Sequence, residues 1–242
     1  MVDTEPLRAR SHAQALAALD SGAIDKAQVV EACKRFVGVS HEAVLNGILR
    51  SFGVEDAARR RMTEFGVNEP WQVLLALDLR YYTAMLRDPV IMQRAQFRQA
   101  LSVLRRVRQH GFLTGLATMS AAELAFLILE ILGLRAAFDC VVTSEDVVHG
   151  KPHPEVFLLA AKRLHVQPQE CLVVEDSVPG VRSALAAGMC CVAVPNDYSR
   201  PAFVGLECPN SLCVVSQADG LEAAVQRMVA ERASAVGHSE SR

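Results

Sequence analysis

At 242 residues the chain can bury one sizeable core, or a core with a smaller inserted domain. Apolar residues make up 51% of it, the formal net charge is only −2, and lysines and arginines are scattered, so nothing marks a nucleic-acid footprint or a polybasic membrane patch. This balance points to a domain that handles a small molecule.

The opening residues, MVDTEPLRAR, are charged and lack the apolar run of a signal peptide. Thr4 can cap a helix that tolerates Pro6 in its first turn and continues through the Ala/Leu-rich stretch Leu7 to Leu19. Helical patterns then cover Lys26 to Phe36, Glu42 to Phe52, Glu55 to Phe65 and Trp71 to Leu86, with almost no strand-like alternation.

From Phe97 onward the pattern alternates. An amphipathic helix, Phe97 to Gln109, is closed by His110-Gly111. Phe112 to Thr118 reads as a buried strand, Ala121 to Leu132 as a helix and Cys140 to Thr143 as a strand. The apolar stretch Leu124 to Leu134 is interrupted by Glu130 and is too short to span a bilayer, so it is expected as a buried helix. Helix Pro154 to Leu164, strand Cys171 to Val174, helix Pro179 to Ala187 and strand Cys191 to Val194 follow, then a weaker strand, Leu212 to Val215, and helix, Leu221 to Val229. The polar tail from Glu231 is expected to fray. Short apolar strands alternating with helices predict a parallel sheet covered on both faces.

The cysteines number seven, with no CxxC pair, and several lie in apolar runs where Cys acts as a small hydrophobe. A reducing, cytoplasmic setting is expected. Cys190 and Cys191 are unsuited to share a metal, because adjacent strand residues point to opposite faces.

In open parallel sheets chemistry gathers at the carboxyl ends of the strands. After the first predicted strand come Thr118 and Met119, a hydroxyl and exposed amides that suit an anion; the bland alternative is a helix cap. Lys151 stands between Gly150 and Pro152-His153-Pro154, which places a charge that would otherwise wander in solvent. His153 is read as loop surface. Glu175 and Asp176 follow an apolar strand as adjacent carboxylates, an arrangement that calls for a cation such as Mg²⁺. The alternative is a helix N-cap by Asp176 or Ser177.

Hydroxyl, lysine and paired carboxylates, in that order after successive strands, resemble the haloacid-dehalogenase superfamily, and its β-phosphoglucomutase-like and phosphoglycolate-phosphatase-like branch in particular. GLATMS is similar to its second motif, GKPHPEVF to its third and VVEDSVPGVRSALAAGM to its fourth, and the likeness runs through VAVPNDYSR. Val39 and Ser40 resemble a cap-domain loop of that branch. The resemblance implies an α/β fold, a Rossmann-like doubly wound parallel sheet with an inserted helical cap. Residues 1–10 and 89–230 would form the core, 11–88 the cap and 231–242 a tail. It also implies a Mg²⁺-dependent phosphatase acting on a small phosphorylated metabolite, without nucleic acid or membrane, as a monomer. Thr118 and the Met119 amide would bind phosphoryl oxygens, Lys151 would pair with the transferred group, and Asp176 with Glu175 would hold Mg²⁺. Arg35 and His41 flank the candidate specificity loop of the cap.

The family's first motif, a strand followed by Asp-X-Asp-Gly-Thr, supplies the nucleophile and the general acid/base. No D-x-D occurs here, and Asp3 matches a later aspartate of the pattern. The strand that carries the motif is therefore expected to be absent from between the strands ending at Thr118 and Val174. Its loss would forfeit stabilisation on the scale of a domain's net ~5–15 kcal/mol. A start codon placed too far downstream, or a truncated gene, is the expected reason, and the chain as written is expected to be inactive. The competing readings are a non-catalytic scaffold and a sugar phosphomutase, the latter disfavoured because Arg8 stands where that branch commonly has histidine. A dehalogenase is disfavoured by the carboxylate pair.

Overall fold

The computed structural model describes residues 2–19, 24–33 and 41–239. The chain forms two compact units, Val2–Gln96 and Phe97–Arg242.

The first unit is helical: α1 (Glu5–Leu19), α2 (Lys26–Cys33), α3 (His41–Ser51), α4 (Glu55–Arg60), α5 (Met62–Phe65), α6 (Pro70–Arg87) and α7 (Pro89–Arg94). Leu16, Val29, Leu45, Ile48, Leu49, Val73 and Leu74 are fully buried together, the inward stripes of α1, α2, α3 and α6. The helix expected from Glu55 to Phe65 is two, because the Arg61 N–H turns back to the Ala58 carbonyl at 2.9 Å, in a tighter turn. Arg61 then reaches the Ala18 carbonyl and Glu64. Helix α7 was not anticipated, although Asp88-Pro89 is a start signal: Asp88 Oδ1 accepts from the amides of Val90 and Ile91.

One polar cluster lies inside this unit. Asp78, fully buried, accepts from Arg8 at 3.0 Å and from Ser11, and its Oδ1 lies 2.7 Å from His12 Nδ1. Arg8 also stacks 3.8 Å over the Tyr82 ring. Burial pushes the Asp78 carboxyl up, but the His12 hydrogen bond and the charges of His12 and Arg8 outweigh it and hold the carboxyl below its ordinary range.

The second unit alternates as α8 (Arg98–Gln109), β1 (Gly115–Ala117), α9 (Ala122–Ile131), β2 (Cys140–Val142), α10 (Glu155–Leu164), β3 (Leu172–Glu175), α11 (Val178–Ala186), β4 (Cys190–Ala193), β5 (Leu212–Val214) and α12 (Leu221–Ser239). The strands are parallel, as expected for an α/β chain, and they form two ladders, β1-β2 and β3-β4-β5. Gly115 pairs with Cys140, and Val173 with Cys191. Among the described residues no ladder joins β1 to β3.

Helices cover both faces of β4. Cys191 and Ala193 pack with Val156, Phe157, Val181 and Ala184, whereas Cys190 and Val192 pack with Val103, Leu221 and Val225. The two adjacent cysteines thus serve opposite faces as apolar side chains.

Three expectations change. Strand β1 spans three residues rather than seven: Phe112 and Leu113 are about half exposed, and Asp139 Oδ2 accepts the Thr114 amide at 2.7 Å in place of a neighbouring strand. Helix α9 stops at Ile131, and Gly133 takes a left-handed conformation with φ 65°. The tail expected to fray from Glu231 continues α12 to Ser239. No helix among the described residues is long and apolar enough to cross a membrane.

Candidate active site

Lys151 and Glu175 meet at the carboxyl ends of β1 and β3, where Lys151 also reaches Ala117, the residue before Thr118. Thr118 leaves β1 with its amide donating to the Val142 carbonyl at 2.9 Å, while its hydroxyl accepts the Ser120 amide at 3.1 Å. Met119 is 40% exposed and lies against the next loop: a Cβ on Gly150 would come within 2.9 Å of Met119 Cε. Glycine there lets the lysine loop pass close to the Thr118 turn.

Lys151 is directed inward, as its setting between glycine and proline predicts. Its Nζ donates to Glu175 Oε2 at 2.7 Å and to the Ala117 carbonyl at 3.3 Å, and lies 4.7 Å from the centre of the Phe157 ring. The side chains of Lys151 and Glu175 are only 12% and 9% exposed.

Glu175 is held on several sides. Besides Lys151, its carboxylate accepts the amides of Asp176 and Ser177 and the Ser177 hydroxyl at 2.9 Å. It rests over the N-terminus of α11, where Ser177 is the cap, accepting the Gly180 amide. A Cβ on Gly180 would stand 2.1 Å from the Glu175 carboxyl carbon, so this seat exists only for glycine. Burial pushes Glu175 up, but the Lys151 charge and the surrounding donors outweigh it and keep the carboxyl below its usual range.

Asp176 behaves oppositely. Partial desolvation and the adjacent Glu175 charge push its carboxyl up to about 7. Part of its surface is open to solvent, so the upward direction stands most firmly on the like charge beside it. Asn196 Nδ2 approaches Asp176 Oδ2 at 3.4 Å.

The two carboxylates are therefore unequal. Glu175 is already neutralised by Lys151, and Asp176 faces solvent as the side chain whose charge a cation would relieve. Its hard oxygen donor suits Mg²⁺, which keeps several waters and needs few protein ligands. Glu175 would support such an ion mainly by holding Lys151 and the turn in place.

Of the remaining candidates, Arg35 lies outside the described residues, as do Val39 and Ser40. His41 opens α3, and its side chain lies outside them too. Asp3 belongs to the helical unit, where its amide donates to the Ala95 carbonyl. Sequence reasoning passed over Gly180, Ser177 as the clamp on Glu175, and Asn196 beside Asp176. Only Ser177 carried a signal, as a helix cap.

The haloacid dehalogenase-like hydrolase family matches residues 58–188, more than half of the chain. Fructose-1-phosphate phosphatase YqaB of Escherichia coli is 48% identical over 77 residues, covering 32% of this chain and 41% of that protein. Phosphoglycolate phosphatase of Salmonella typhimurium is 26% identical over 218 residues, covering 87% and 83%. The chain spans less than half the length of the curated relatives it matches at 38% identity or more. In fold it is similar to CbbY of Rhodobacter sphaeroides, solved with xylulose-1,5-bisphosphate, at a TM-score of 0.62 and 19% identity, covering 90% of both chains.

Proposed function

Since the chain belongs to the haloacid dehalogenase-like hydrolase family, we propose that its second unit is the phosphoryl-binding part of a Mg²⁺-dependent phosphatase for a small phosphorylated metabolite. The observation that carries this reading is the lysine held between Glu175 and the carbonyl of Ala117, the residue before Thr118. Phosphoryl transfer asks a protein chiefly to position the group and neutralise its charge. Thr118 and the Met119 amide would donate to phosphoryl oxygens, and Lys151 would supply the fixed positive charge. Asp176 would hold Mg²⁺, whose chemistry is to screen the phosphoryl oxygens.

The covalent step needs an attacking carboxylate. The sequence contains no Asp-X-Asp pair, and the ends of β1 and β3 are tied by the Lys151 side chain rather than by a ladder. No carboxylate of these residues takes the attacking role, so on their own they are inactive. The phosphatases among its relatives, named for fructose 1-phosphate and phosphoglycolate, support a small phosphorylated metabolite as substrate. A reducing cytoplasmic setting fits the free cysteines, and the chain acts as a monomer, without nucleic acid or membrane.

A second reading, a scaffold that binds phosphate without turnover, draws support from the same ion pair, which satisfies Lys151 within the chain. Hydrolysis of p-nitrophenyl phosphate, fructose 1-phosphate and phosphoglycolate with Mg²⁺ separates the readings. Residues 1–242 alone should show none, and the same residues extended by an N-terminal strand carrying Asp-X-Asp-Gly-Thr should hydrolyse at least one. Turnover by the unextended chain that Lys151→Ala abolishes would overturn the assignment of the nucleophile. A stable extended chain without turnover favours the scaffold.

A further inference from the structure

We propose that His149, His153 and Glu155 form a binding site for a divalent transition metal of the zinc type, on the outer face of the loop whose inner face carries Lys151. The proposal does not depend on the phosphatase reading.

The loop has two faces. Lys151 is directed inward to Glu175, while His149 and His153, two residues away on either side, are 63% and 51% exposed. Their rings lie 4.6 Å apart, tilted by 37°. Both bring Nδ1 near the same oxygen, Glu155 Oε2, at 3.0 Å from His149 and 3.7 Å from His153; His153 Nδ1 also accepts the Glu155 amide at 3.4 Å, a long bond that an ion would replace. One ligand atom from each of the three residues lies within 4.8 Å of the others.

The carboxylate is set in advance. Glu155 Oε1 accepts the Val148 amide and Oε2 the His149 amide, each at 2.9 Å. Those two backbone donors fix the carboxylate in place beside the two rings.

Two ligands about 2.0–2.2 Å from one tetrahedral ion stand roughly 3.4 Å apart. Closing the site from 4.8 Å therefore needs about 1.4 Å of approach between side chains that are open to solvent. The ion would replace the proton between His149 Nδ1 and Glu155 Oε2, with water at its open position. Two imidazoles and one carboxylate favour zinc, nickel or copper over magnesium. An ion there would join both sides of Gly150-Lys151-Pro152 and so brace the segment that aims Lys151.

The test uses the tag-free chain titrated with ZnCl₂ in a calorimeter. One equivalent should bind, and the His149→Ala/His153→Ala variant should lose more than the roughly 10–100-fold that removal of a mere supporting partner costs. Because both rings are exposed, metal-free thermal unfolding of that variant should match the parent. His149→Gln alone should show an intermediate loss. Cys208 is an exposed free cysteine, and Cys208→Ser should bind as the parent does; X-ray absorption at the zinc edge should show nitrogen and oxygen neighbours without sulfur, and excess MgCl₂ should not displace the ion. The proposal is overturned if the parent binds no zinc or if the double variant binds as tightly as the parent. Sulfur neighbours, or displacement by Mg²⁺, would equally place the ion elsewhere.

Discussion

Lys151 Nζ lies 2.7 Å from Glu175 Oε2 and 3.3 Å from the Ala117 carbonyl, so one side chain ties the carboxyl ends of β1 and β3, which share no backbone ladder. An ion pair this enclosed is weakly screened, and removing one partner strands the other's charge. The consequences are measurable.

Lys151→Ala should destabilise the chain by about 3–5 kcal/mol at neutral pH, whereas Lys151→Met with Glu175→Gln, which removes the stranded charge and keeps an acceptor for the Asp176 and Ser177 donors, should recover part of that loss. The folded pKa of Glu175 is depressed, so its contribution is present above the ordinary 4.5 and lost as pH falls through the folded value. Denaturant unfolding of parent and Lys151→Ala across this range should give curves that converge in acid. A gap that stays constant down to low pH would refute the ion-pair account.

Asp176 carries the opposite sign. Its folded pKa is raised from 3.8 to about 7, so its contribution is fully present below 3.8 and lost as pH rises through 7. Asp176→Asn should therefore raise Tm above pH 7, with the gain vanishing toward pH 4. Magnesium should raise the Tm of the parent but not of the variant. Thermal melts at both pH values, with and without MgCl₂, check both statements.

Two glycines of this cleft should respond differently to alanine. At Gly180 the added carbon meets the Glu175 carboxyl at 2.1 Å, and α11 cannot move without disturbing its packed face. Gly180→Ala should cost about 1–3 kcal/mol and break the Lys151 contact. At Gly150 the obstacle is the flexible end of Met119, at 2.9 Å, and the cost should stay below about 1 kcal/mol. Equal losses in urea titrations would show that Glu175 is not seated on Gly180.

The helical unit has its own buried charge. Asp78→Ala removes the partner of Arg8, Ser11 and His12 together and should destabilise that unit by roughly 3–5 kcal/mol. Trp71 is the chain's single tryptophan and lies in α6, so its fluorescence reads this unit separately. The depressed pKa of Asp78 means its stabilisation is present above 3.8 and fades as pH falls through the folded value. Acid unfolding followed by tryptophan emission should move to higher pH in the variant.

Local chemistry was enough to read much of this protein. Short apolar runs between amphipathic stretches identified each strand of the second unit, though the first was read as seven residues and spans three, and Gly-Lys-Pro-His-Pro announced a positioned lysine. These signals survive without tertiary context because backbone periodicity and proline constraints act within a few residues. What neighbours decide was not legible. The length of β1 depends on which strand lies beside it, and Phe112 to Thr114 look like strand but meet the Asp139 side chain instead. Glu175 and Asp176 read as equals, yet Lys151, 24 residues away in sequence, satisfies one and leaves the other raised. His153 reads as loop surface and is exposed, but that it and His149 turn toward one oxygen of Glu155 was not legible. A carboxylate's charge state and a ligand's direction are set by atoms within about 4–6 Å in space, and only the tertiary structure brings those atoms together.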